Sequence, residues 1–260
     1  MGNDMAAGRR WGRLPGDYDK IQQTLFKKEI LVMPKLIVAL DFDNQSQAFE
    51  LIDQLDPKQC ALKVGSEMYT LFGPTFVRAL VAKQFNVFLD LKFHDIPNTV
   101  ARACAASAAL GVWMLNVHAS GGVGMMKAAR NALDEYGVNR PLLVAVTVLT
   151  SMSALELSTL GVSLSLDAQV CLLAKRAKEA GLDGVVSSAL EVPLIKAACG
   201  NEFLTITPGI RMPDSNQDDQ TRIITPAMAV KLGSDYLVVG RPITRAADPA
   251  KIVGEFLHYV

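Results

Sequence analysis

One pattern repeats along most of this chain of 260 residues. A short apolar run ends in a polar residue or glycine, and a stretch with helical periodicity follows. The runs are continuous rather than alternating, which is typical of parallel strands buried on both faces of a sheet. Successive runs end roughly 20–40 residues apart, about the size of one strand–helix unit. The predicted strands are 36–40, 61–64, 87–91, 113–117, 142–148, 184–186, 204–206 and 236–239.

Eight such units predict an α/β protein with the architecture of a TIM (β/α)8 barrel. The helical stretches between the strands are 46–55, 76–83, 99–110, 124–136, 167–180, 190–198 and 226–232. A doubly wound open sheet is the alternative, and it normally carries a glycine-rich phosphate-binding sequence after its first strand. Here Asp41-Phe42-Asp43 stands at that place. We therefore predict a barrel, and as a single domain over residues 33–260, because barrels of roughly 250 residues form one domain.

Residues 1–32 lack the strand–helix pattern. They are rich in glycine and arginine at first, and a short amphipathic stretch follows at 21–30. The early arginines resemble those of a transit peptide, but interspersed aspartates and the lack of an apolar core argue against a targeting signal. We predict that residues 1–32 form a flexible N-terminal extension.

Charge and cysteine content narrow the possible partners. The 26 Lys and Arg residues balance 26 Asp and Glu residues, so the formal net charge is zero. This argues against nucleic acid or an anionic membrane as the main partner. No apolar run approaches the roughly 18 residues that a membrane helix needs. The four cysteines are scattered without a CxxC pair, which favours reduced thiols and a cytoplasmic location.

Polar residues gather where the predicted strands end. Active sites of TIM barrels lie at the carboxyl ends of the strands, so these side chains are expected to meet on one rim. They are Asp41, Lys63, Asp90, Lys92, Asn116, His118, Thr150, Ser151, Ser187, Ser188, Arg211, Gly240 and Arg241. None would be unusual alone, but their convergence predicts a polar, charged pocket.

The densest group of charges is Asp90-Leu-Lys92-Phe-His-Asp95. Side chains two apart on a strand share a face, so Asp90 and Lys92 point the same way and Asp95 lies just beyond the strand end. Charges among core-type residues are costly unless they pair. In isolation the segment could be a surface cluster of salt bridges. The other polar strand ends favour a functional site instead.

The end of the last strand, Val239-Gly240-Arg241-Pro242, predicts a phosphate site. Glycine lets backbone N–H groups approach an oxyanion, and Arg241 supplies a fork of donors at the start of a short helix from Pro242. Barrels often bind phosphate after strands 7 and 8. The polar segment 211–220 after strand 7 has the composition of a mobile lid, or alternatively of a solvated loop.

Several motifs resemble those of bacterial orotidine 5'-phosphate decarboxylases, in order and with similar spacing, from about residue 33 to the C-terminus. The motifs are Leu36-Ile-Val-Ala-Leu-Asp41, Leu62-Lys63-Val-Gly65, Asp90-Leu-Lys92-Phe-His-Asp95-Ile-Pro-Asn-Thr99, Val148-Leu-Thr150-Ser151, Thr207-Pro-Gly-Ile-Arg211 and Val239-Gly240-Arg241-Pro242. The Asp-x-Lys-x-x-Asp core is shared with sugar-phosphate relatives. The His-Asp-Ile-Pro-Asn-Thr continuation and the signature of strands 7 and 8 resemble the decarboxylases themselves.

The resemblance implies a homodimer that converts orotidine 5'-phosphate to UMP and CO2 in pyrimidine synthesis, with no cofactor and no metal. It implies catalytic roles for Lys92, Asp90, Asp95 and Lys63, with Lys92 as the proton donor. The implied substrate-binding residues are Asp41, Lys63, Asp90, Thr99, Thr150, Ser151, Arg211, Gln220, Gly240 and Arg241. Asp95 and Thr99 are expected to reach into the site of the neighbouring subunit.

Two other functions stay open. Relatives that act on sugar phosphates, such as keto-gulonate-phosphate decarboxylase or hexulose-phosphate synthase, usually use a metal, so activity with and without Mg²⁺ on both substrate classes separates them. A non-catalytic phosphate-binding barrel is the third possibility. Asp90, Lys92 and Asp95 argue against it, because a scaffold has no need of buried charge.

Overall fold

The computed structural model describes residues 34–212 and 224–260, and its centre is a closed barrel of parallel strands. Each strand pairs with its neighbours in chain order, and β1 pairs with β8 to close the ring. The strands are β1 Leu36–Leu40, β2 Ala61–Gly65, β3 Val87–Phe93, β4 Met114–His118, β5 Leu142–Val146, β6 Gly184–Val186, β7 Leu204–Thr207 and β8 Tyr236–Val239. The predicted TIM barrel is confirmed, and every predicted strand is present with its ends displaced by two residues or fewer.

Helices follow the strands and cover the outside of the barrel. They are α1 Gln45–Ile52, α2 Ser66–Ala82, α3 Pro97–Ala108, α4 Gly122–Leu133, α5 Ala154–Thr159, α6 Leu166–Glu179, α7 Val192–Cys199, α8 Pro226–Lys231, α9 Arg241–Thr244 and α10 Pro249–Leu257. Short 3₁₀ turns cover Ala119–Gly121, Asp134–Asn139 and Ala189–Glu191. In the described ranges no helix is long and apolar enough to cross a membrane. The predicted extension, 1–32, lies outside the described residues.

Helix α2 begins at Ser66, well before the predicted start at residue 76. The pair Gly73-Pro74 has the signature of a helix break, and the structure instead has a kink there. Gly73 takes a φ of 63°, which only glycine adopts without strain. Pro74 then opens the second segment, where its missing N–H and fixed φ are tolerated. Helices α5 and α10 were not predicted from the periodicity.

Side-chain alternation along the strands divides the core into two layers. The inner layer fills the barrel and consists of Ile37, Ala39, Ala61, Phe88, Met114, Val144, Ile206 and Val238. The outer layer, which includes Leu36, Val38 and Leu40 of β1, packs beneath the helices. We call the carboxyl ends of the strands the C-terminal rim. The inward-facing residues that follow the apolar layer along each strand lie at this rim.

Two ion pairs tie the loops at the opposite, N-terminal rim. Asp183, just before β6, accepts two hydrogen bonds from the Arg140 guanidinium, at 2.7 and 2.6 Å, and one from the N–H of Leu143 at 2.8 Å. Asp235, just before β8, pairs with Lys196 of α7 at 2.7 Å. Each carboxylate thus meets one cation and fixes the start of a strand.

Candidate active site

A cavity of about 700 Å³ opens on the C-terminal rim. Its apolar floor includes Ala39, Phe88, Val146, Val186 and Val238. Its polar lining contains most of the predicted site residues, namely Asp41, Lys63, Asp90, Lys92, Thr150, Ser151, Arg211, Gly240 and Arg241. The size and the mixed lining are typical of a small-molecule site.

Strand alternation aims the charged side chains into this cavity. Ala61 and Phe88 belong to the inner layer, and Lys63 and Asp90 stand two residues further along the same strands. Side chains two apart share a face, so both charges enter the barrel just above its apolar filling. Asp41 continues the inward positions of β1 in the same way and lies at the mouth, with 59% of its side chain exposed.

Lys63, Asp90 and Lys92 form one contiguous group, the charged triad. One oxygen of Asp90, Oδ1, lies 2.7 Å from Nζ of Lys92, and the other, Oδ2, lies 3.1 Å from Nζ of Lys63. Nζ of Lys63 is also 3.8 Å from Oδ1 of Asp41. The side chain of Asp90 is 11% exposed and that of Lys92 is 34% exposed, so the carboxylate is enclosed while the Lys92 ammonium reaches the cavity.

The environment of Asp90 determines its ionisation. Burial by itself raises the pKa of this carboxyl. The charges of Lys63 and Lys92, with hydrogen bonds from Lys92 and Asn116, outweigh burial and hold the pKa below its ordinary value. Asp90 is therefore a carboxylate at neutral pH, enclosed between two cations.

Lys92 has an unusual backbone conformation. Its φ is 53°, in the left-handed region that non-glycine residues rarely adopt. The N–H of Lys92 donates to Oδ1 of Asn116 at 2.8 Å, and Nδ2 of Asn116 donates to Oδ1 of Asp90 at 2.7 Å. Asn116 is fully buried and lies on the inward face of β4, two residues after Met114. It was predicted to lie on the rim, without an assigned role. An amide at an inward, otherwise apolar strand position was the available signal.

Two histidines stack beside the triad. The rings of His94 and His118 have their centroids 5.5 Å apart. Burial lowers the pKa of His118, and the charges of His94 and Lys92 lower it further against an opposing contribution from Asp90. His118 is therefore a neutral imidazole at neutral pH. Within 34–212 and 224–260, no three His, Cys, Asp or Glu side chains come together as a metal site.

Arginines line the wall that follows β7 and β8. Arg211 is only 6% exposed, and one of its terminal nitrogens donates to the carbonyl of Ile210 at 3.0 Å. Arg241 begins α9, and Arg245 follows that helix and also lines the cavity. Arg245 was not among the residues predicted to form the site. Its spacing of four from Arg241, which places both on one face of a helical turn, could have indicated it.

Two of the residues to which the resemblance gives a role, Asp95 and Thr99, do not line the described cavity. Asp95 and Thr99 lie beyond β3 with exposed side chains, and Oδ1 of Asp95 accepts from the N–H of Ile96 at 2.6 Å. Ile96 itself is 67% exposed. Gln220 falls outside the described residues. None of the residues from Asp95 to Thr99 lines the cavity of its own chain.

Comparison with known proteins gives consistent matches along the barrel. Residues 34–256 match the model of the family described as "Orotidine 5'-phosphate decarboxylase / HUMPS family". A protein of Legionella pneumophila named orotidine 5'-phosphate decarboxylase is 61% identical over 224 residues, which cover 86% of this chain and 98% of the relative. A protein of Psychromonas ingrahamii with the same name is 60% identical over 223 residues, covering 86% of this chain and 95% of the relative.

Solved structures show the same likeness. The crystal structure of orotidine 5'-phosphate decarboxylase from Lactobacillus acidophilus superposes with a TM-score of 0.78 at 40% identity, covering 87% of this chain and 98% of that one. An uncharacterized conserved protein from Geobacillus kaustophilus superposes with a TM-score of 0.77 at 42% identity, covering 86% of this chain and 99% of that one.

Proposed function

The chain belongs to the orotidine 5'-phosphate decarboxylase / HUMPS family, and on that premise we propose that it converts orotidine 5'-phosphate to UMP and CO2 in pyrimidine biosynthesis. The observation that carries this proposal is the charged triad. It places an ammonium in the cavity, 2.7 Å from a carboxylate that is almost enclosed. Such a pair suits a reaction in which a negative charge develops on one atom of the substrate and a proton is then added to that atom.

The reaction breaks the bond between C6 of the pyrimidine and its carboxylate carbon. The bonding electron pair stays on C6, CO2 departs, and a proton must then be added to C6. The charge lies in an sp2 orbital that the ring does not delocalise well, so the site has to stabilise it electrostatically. We assign this role to Lys92, whose ammonium stabilises the developing carbanion and donates its proton to C6. The neutral amine regains a proton from solvent.

Asp90 holds the ammonium of Lys92 and lies beside the departing carboxylate. Two like charges at about 4 Å repel by about 1 kcal/mol in bulk water and about 4 kcal/mol at the rim of a protein. This repulsion disappears once the substrate carboxylate becomes CO2. Lys63 is the second cation on Asp90, at 3.1 Å, and it offsets part of the desolvation cost of burying that carboxylate. Lys63 also contacts Asp41, which lies at the mouth of the cavity.

The remaining lining orients the nucleotide. Arg241 and the backbone around Gly240 are assigned to the 5'-phosphate, with Arg211 and Arg245 on the same wall. A phosphate carries about two negative charges at neutral pH, and guanidinium groups bind it through paired, charge-assisted hydrogen bonds. Thr150 and Ser151, after β5, are assigned to the pyrimidine, and Asp41 to the ribose hydroxyls. Binding energy from the phosphate then holds C6 against Lys92.

A direct assay of the purified full-length protein tests the function. Orotidine 5'-phosphate loses its carboxylate with a change in ultraviolet absorbance, and we expect the same rate with a chelator as with added Mg²⁺. Ribulose-type and keto-gulonate-type sugar phosphates, in parallel reactions with and without Mg²⁺, should not be consumed. If a sugar phosphate is consumed only when metal is present and the nucleotide is not consumed, the protein is one of the sugar-phosphate enzymes of the family. Tight UMP binding without turnover would indicate a phosphate-binding barrel.

The exposed segment from Asp95 to Thr99 supports a shared site in a homodimer. It directly follows the triad strand, yet its side chains lie outside the cavity of their own chain, and Ile96 is exposed by 67%. One exposed apolar residue is normal on a protein surface, so the shared site is inferred from the family motif that this segment matches. We assign Asp95 and Thr99 to the site of the partner subunit, where they contact the ribose and extend the charged triad.

Complementation between inactive variants tests the shared site. Lys92→Ala and Asp95→Ala should each be inactive as homodimers, because each lacks one component of every site. In a two-fold dimer, a heterodimer of the two variants has one site with both defects and one with neither. Subunit exchange should therefore restore up to about half of the activity of a wild-type dimer. Verified heterodimers that stay as inactive as either parent would place Asp95 in its own subunit or the interface elsewhere.

The thiols suit a reaction in the cytoplasm. All four cysteines are unpaired, as expected in a reducing compartment. Burial raises the pKa of Cys104 to about 12, and burial together with the charge of Asp56 raises that of Cys60 to about 12. Both thiols are therefore protonated and unreactive, and we assign no catalytic step to either.

A further inference from the structure

The pairing between β3 and β4 is interrupted beside the triad. Leu89 pairs with Leu115 and Phe93 pairs with Val117, so residues 90, 91 and 92 face the single residue Asn116. Extra residues on one strand of a pair form a bulge and leave backbone groups without ladder partners. A bulge at this point removes the strand carbonyl that would otherwise accept from the N–H of Lys92.

The side chain of Asn116 replaces the missing partner. Its Oδ1 accepts from the N–H of Lys92 at 2.8 Å, and its Nδ2 donates to Oδ1 of Asp90 at 2.7 Å. Asn116 is fully buried, and on its other side β4 keeps a regular pairing with Val144 of β5. Since the acceptor and the donor of the amide are both used, its orientation is fixed. A left-handed residue such as Lys92 persists only when its surroundings hold it.

We propose that Asn116 is a positioning residue for the decarboxylation, because its amide holds the backbone of Lys92 in the left-handed conformation and the carboxylate of Asp90 in one orientation. The inference rests on the proposed function. Asn116 itself acts through Lys92 and Asp90. It fixes the direction from which the ammonium reaches C6, and a misplacement of about 1 Å at a reacting group can cost about 100-fold in rate.

The variant Asn116→Asp tests this role with almost no change in shape. A carboxylate there can accept from Lys92 but cannot donate to Asp90, and it repels Asp90. A protonated carboxyl can do both, as the amide does. The charged and titratable groups around it are Asp90 and Lys92 of β3, Lys63 of β2, and His94 and His118. We therefore compare the variant with wild type at each pH, so that titration of the shared groups cancels.

We expect kcat of Asn116→Asp to fall by at least about 100-fold at neutral pH. The ratio of its kcat to that of wild type should rise by about tenfold or more as the pH falls from about 8 to about 5, as the introduced carboxyl is protonated. Asn116→Ser, which is too short to bridge both partners, should lose kcat similarly without recovering in acid. A kcat within threefold of wild type in both variants, or a ratio for Asn116→Asp that does not change with pH, overturns the proposal.

Binding measurements separate this proposal from the proposed function. UMP has no charge at C6, whereas a UMP analogue with an anionic oxygen at C6 resembles the developing carbanion. We expect Asn116→Asp and Asn116→Ser to weaken the anionic analogue by about 100-fold and UMP by less than threefold. Equal losses on both ligands would indicate a purely structural role. If wild type binds neither ligand, the proposed function fails; if wild type binds both and the variants match it, only the role of Asn116 fails.

Thr205→Val is the matched control. Thr205 is also fully buried on a barrel strand, and its Oγ1 donates to Asp235 at 2.8 Å at the N-terminal rim. Loss of that bond should lower the melting temperature while kcat, its pH profile and the preference for the anionic analogue stay those of wild type. If Thr205→Val reproduces the pattern of Asn116→Ser, the effect belongs to the loss of any buried hydrogen bond, and the assignment of Asn116 is wrong.

Discussion

The two rims of the barrel contain the same kinds of side chain in different arrangements. At the N-terminal rim, Asp183 meets Arg140 and the N–H of Leu143, so one carboxylate faces one cation and one backbone donor group. At the C-terminal rim, Asp90 meets two ammonium groups, at 2.7 and 3.1 Å. In the first arrangement one carboxylate faces one cation, whereas in the second one enclosed carboxylate is shared by two ammonium groups beside an open cavity.

The two rims also differ in the backbone conformation beside their carboxylates. Asp183 and Asp235 accept from N–H groups of regular strands, and these bonds hold the start of the next strand in the ladder. Asp90 lies at a bulge, followed by Lys92 with a φ of 53°. Backbone strain of this kind costs of the order of 1–3 kcal/mol and persists only where the surrounding structure holds it.

The comparison shows that an ion pair by itself indicates little about its role. Both rims have partly buried ion pairs with short N–O distances. What distinguishes the C-terminal rim is a carboxylate shared by two cations, access to a cavity and a left-handed conformation at one of the charged residues themselves. On these three features we propose a structural role for the N-terminal pairs and a catalytic role for the triad.

Replacing Lys92 should produce the largest effect. In Lys92→Met the apolar stem remains, but the charge that stabilises C6 and the proton it receives are both lost. We expect kcat to fall by at least about 10⁴-fold, since general acid catalysis and electrostatic stabilisation each contribute about 10² or more. Single-turnover decarboxylation measures the loss. A variant with more than about 1% of wild-type kcat would mean that another group protonates C6.

The matching change at the other rim should affect stability alone. Nζ of Lys196 donates to Asp235 and to the carbonyls of Asn201 and Phe203, and its side chain is 13% exposed. Lys196→Met leaves these acceptors without their cation and should lower the free energy of unfolding by about 3 kcal/mol. Urea denaturation measures the loss, with kcat as the control. A large loss of kcat in a folded Lys196→Met protein would break the division between the rims.

Removing Arg241 should distinguish ligands within the C-terminal rim. Arg241→Ala deletes a charge-assisted fork to the phosphate, which is worth about 2 kcal/mol or about 30-fold in affinity. We expect this loss for UMP and little change for uridine, which has no phosphate. Isothermal titration with both ligands gives the two affinities. Equal losses would show that Arg241 supports the fold rather than the phosphate.

The smallest expected effect is the acid dependence of stability. The cations around Asp90 and its hydrogen bonds hold its pKa below the ordinary value of 3.8 in spite of burial. Folding thus favours the ionised form of Asp90. Its contribution to the free energy of unfolding is complete above pH 3.8 and is lost as the pH falls through the lower pKa of the folded state. Asp90→Asn should remove this part of the acid dependence of the unfolding free energy. An unchanged slope below pH 3.8 would contradict the lowered pKa.

Local patterns in the sequence were sufficient for the barrel and for most of the site. Continuous apolar runs predicted each strand, because burial on both faces of a parallel sheet selects apolar residues along the whole run. Lys63, Asp90 and Lys92 followed, since they stand at strand ends and the architecture brings those ends together. The catalytic and substrate-binding roles of these residues, like those of Asp95 and Thr99, came from a family resemblance and stay predictions.

Tertiary structure alone decided the arrangement inside the triad. The bulge in β3, the left-handed φ of Lys92 and the two bonds of Asn116 depend on the register between β3 and β4. Register is a relation between residues far apart in the chain, and the apolar periodicity of either strand does not contain it. The sequence by itself therefore determined which charges reach the cavity. The pairing of β3 with β4 decided how these charged side chains are oriented. The bulge removes backbone hydrogen bonds from β3, and the side chain of Asn116 replaces them and holds Asp90 and Lys92 in place.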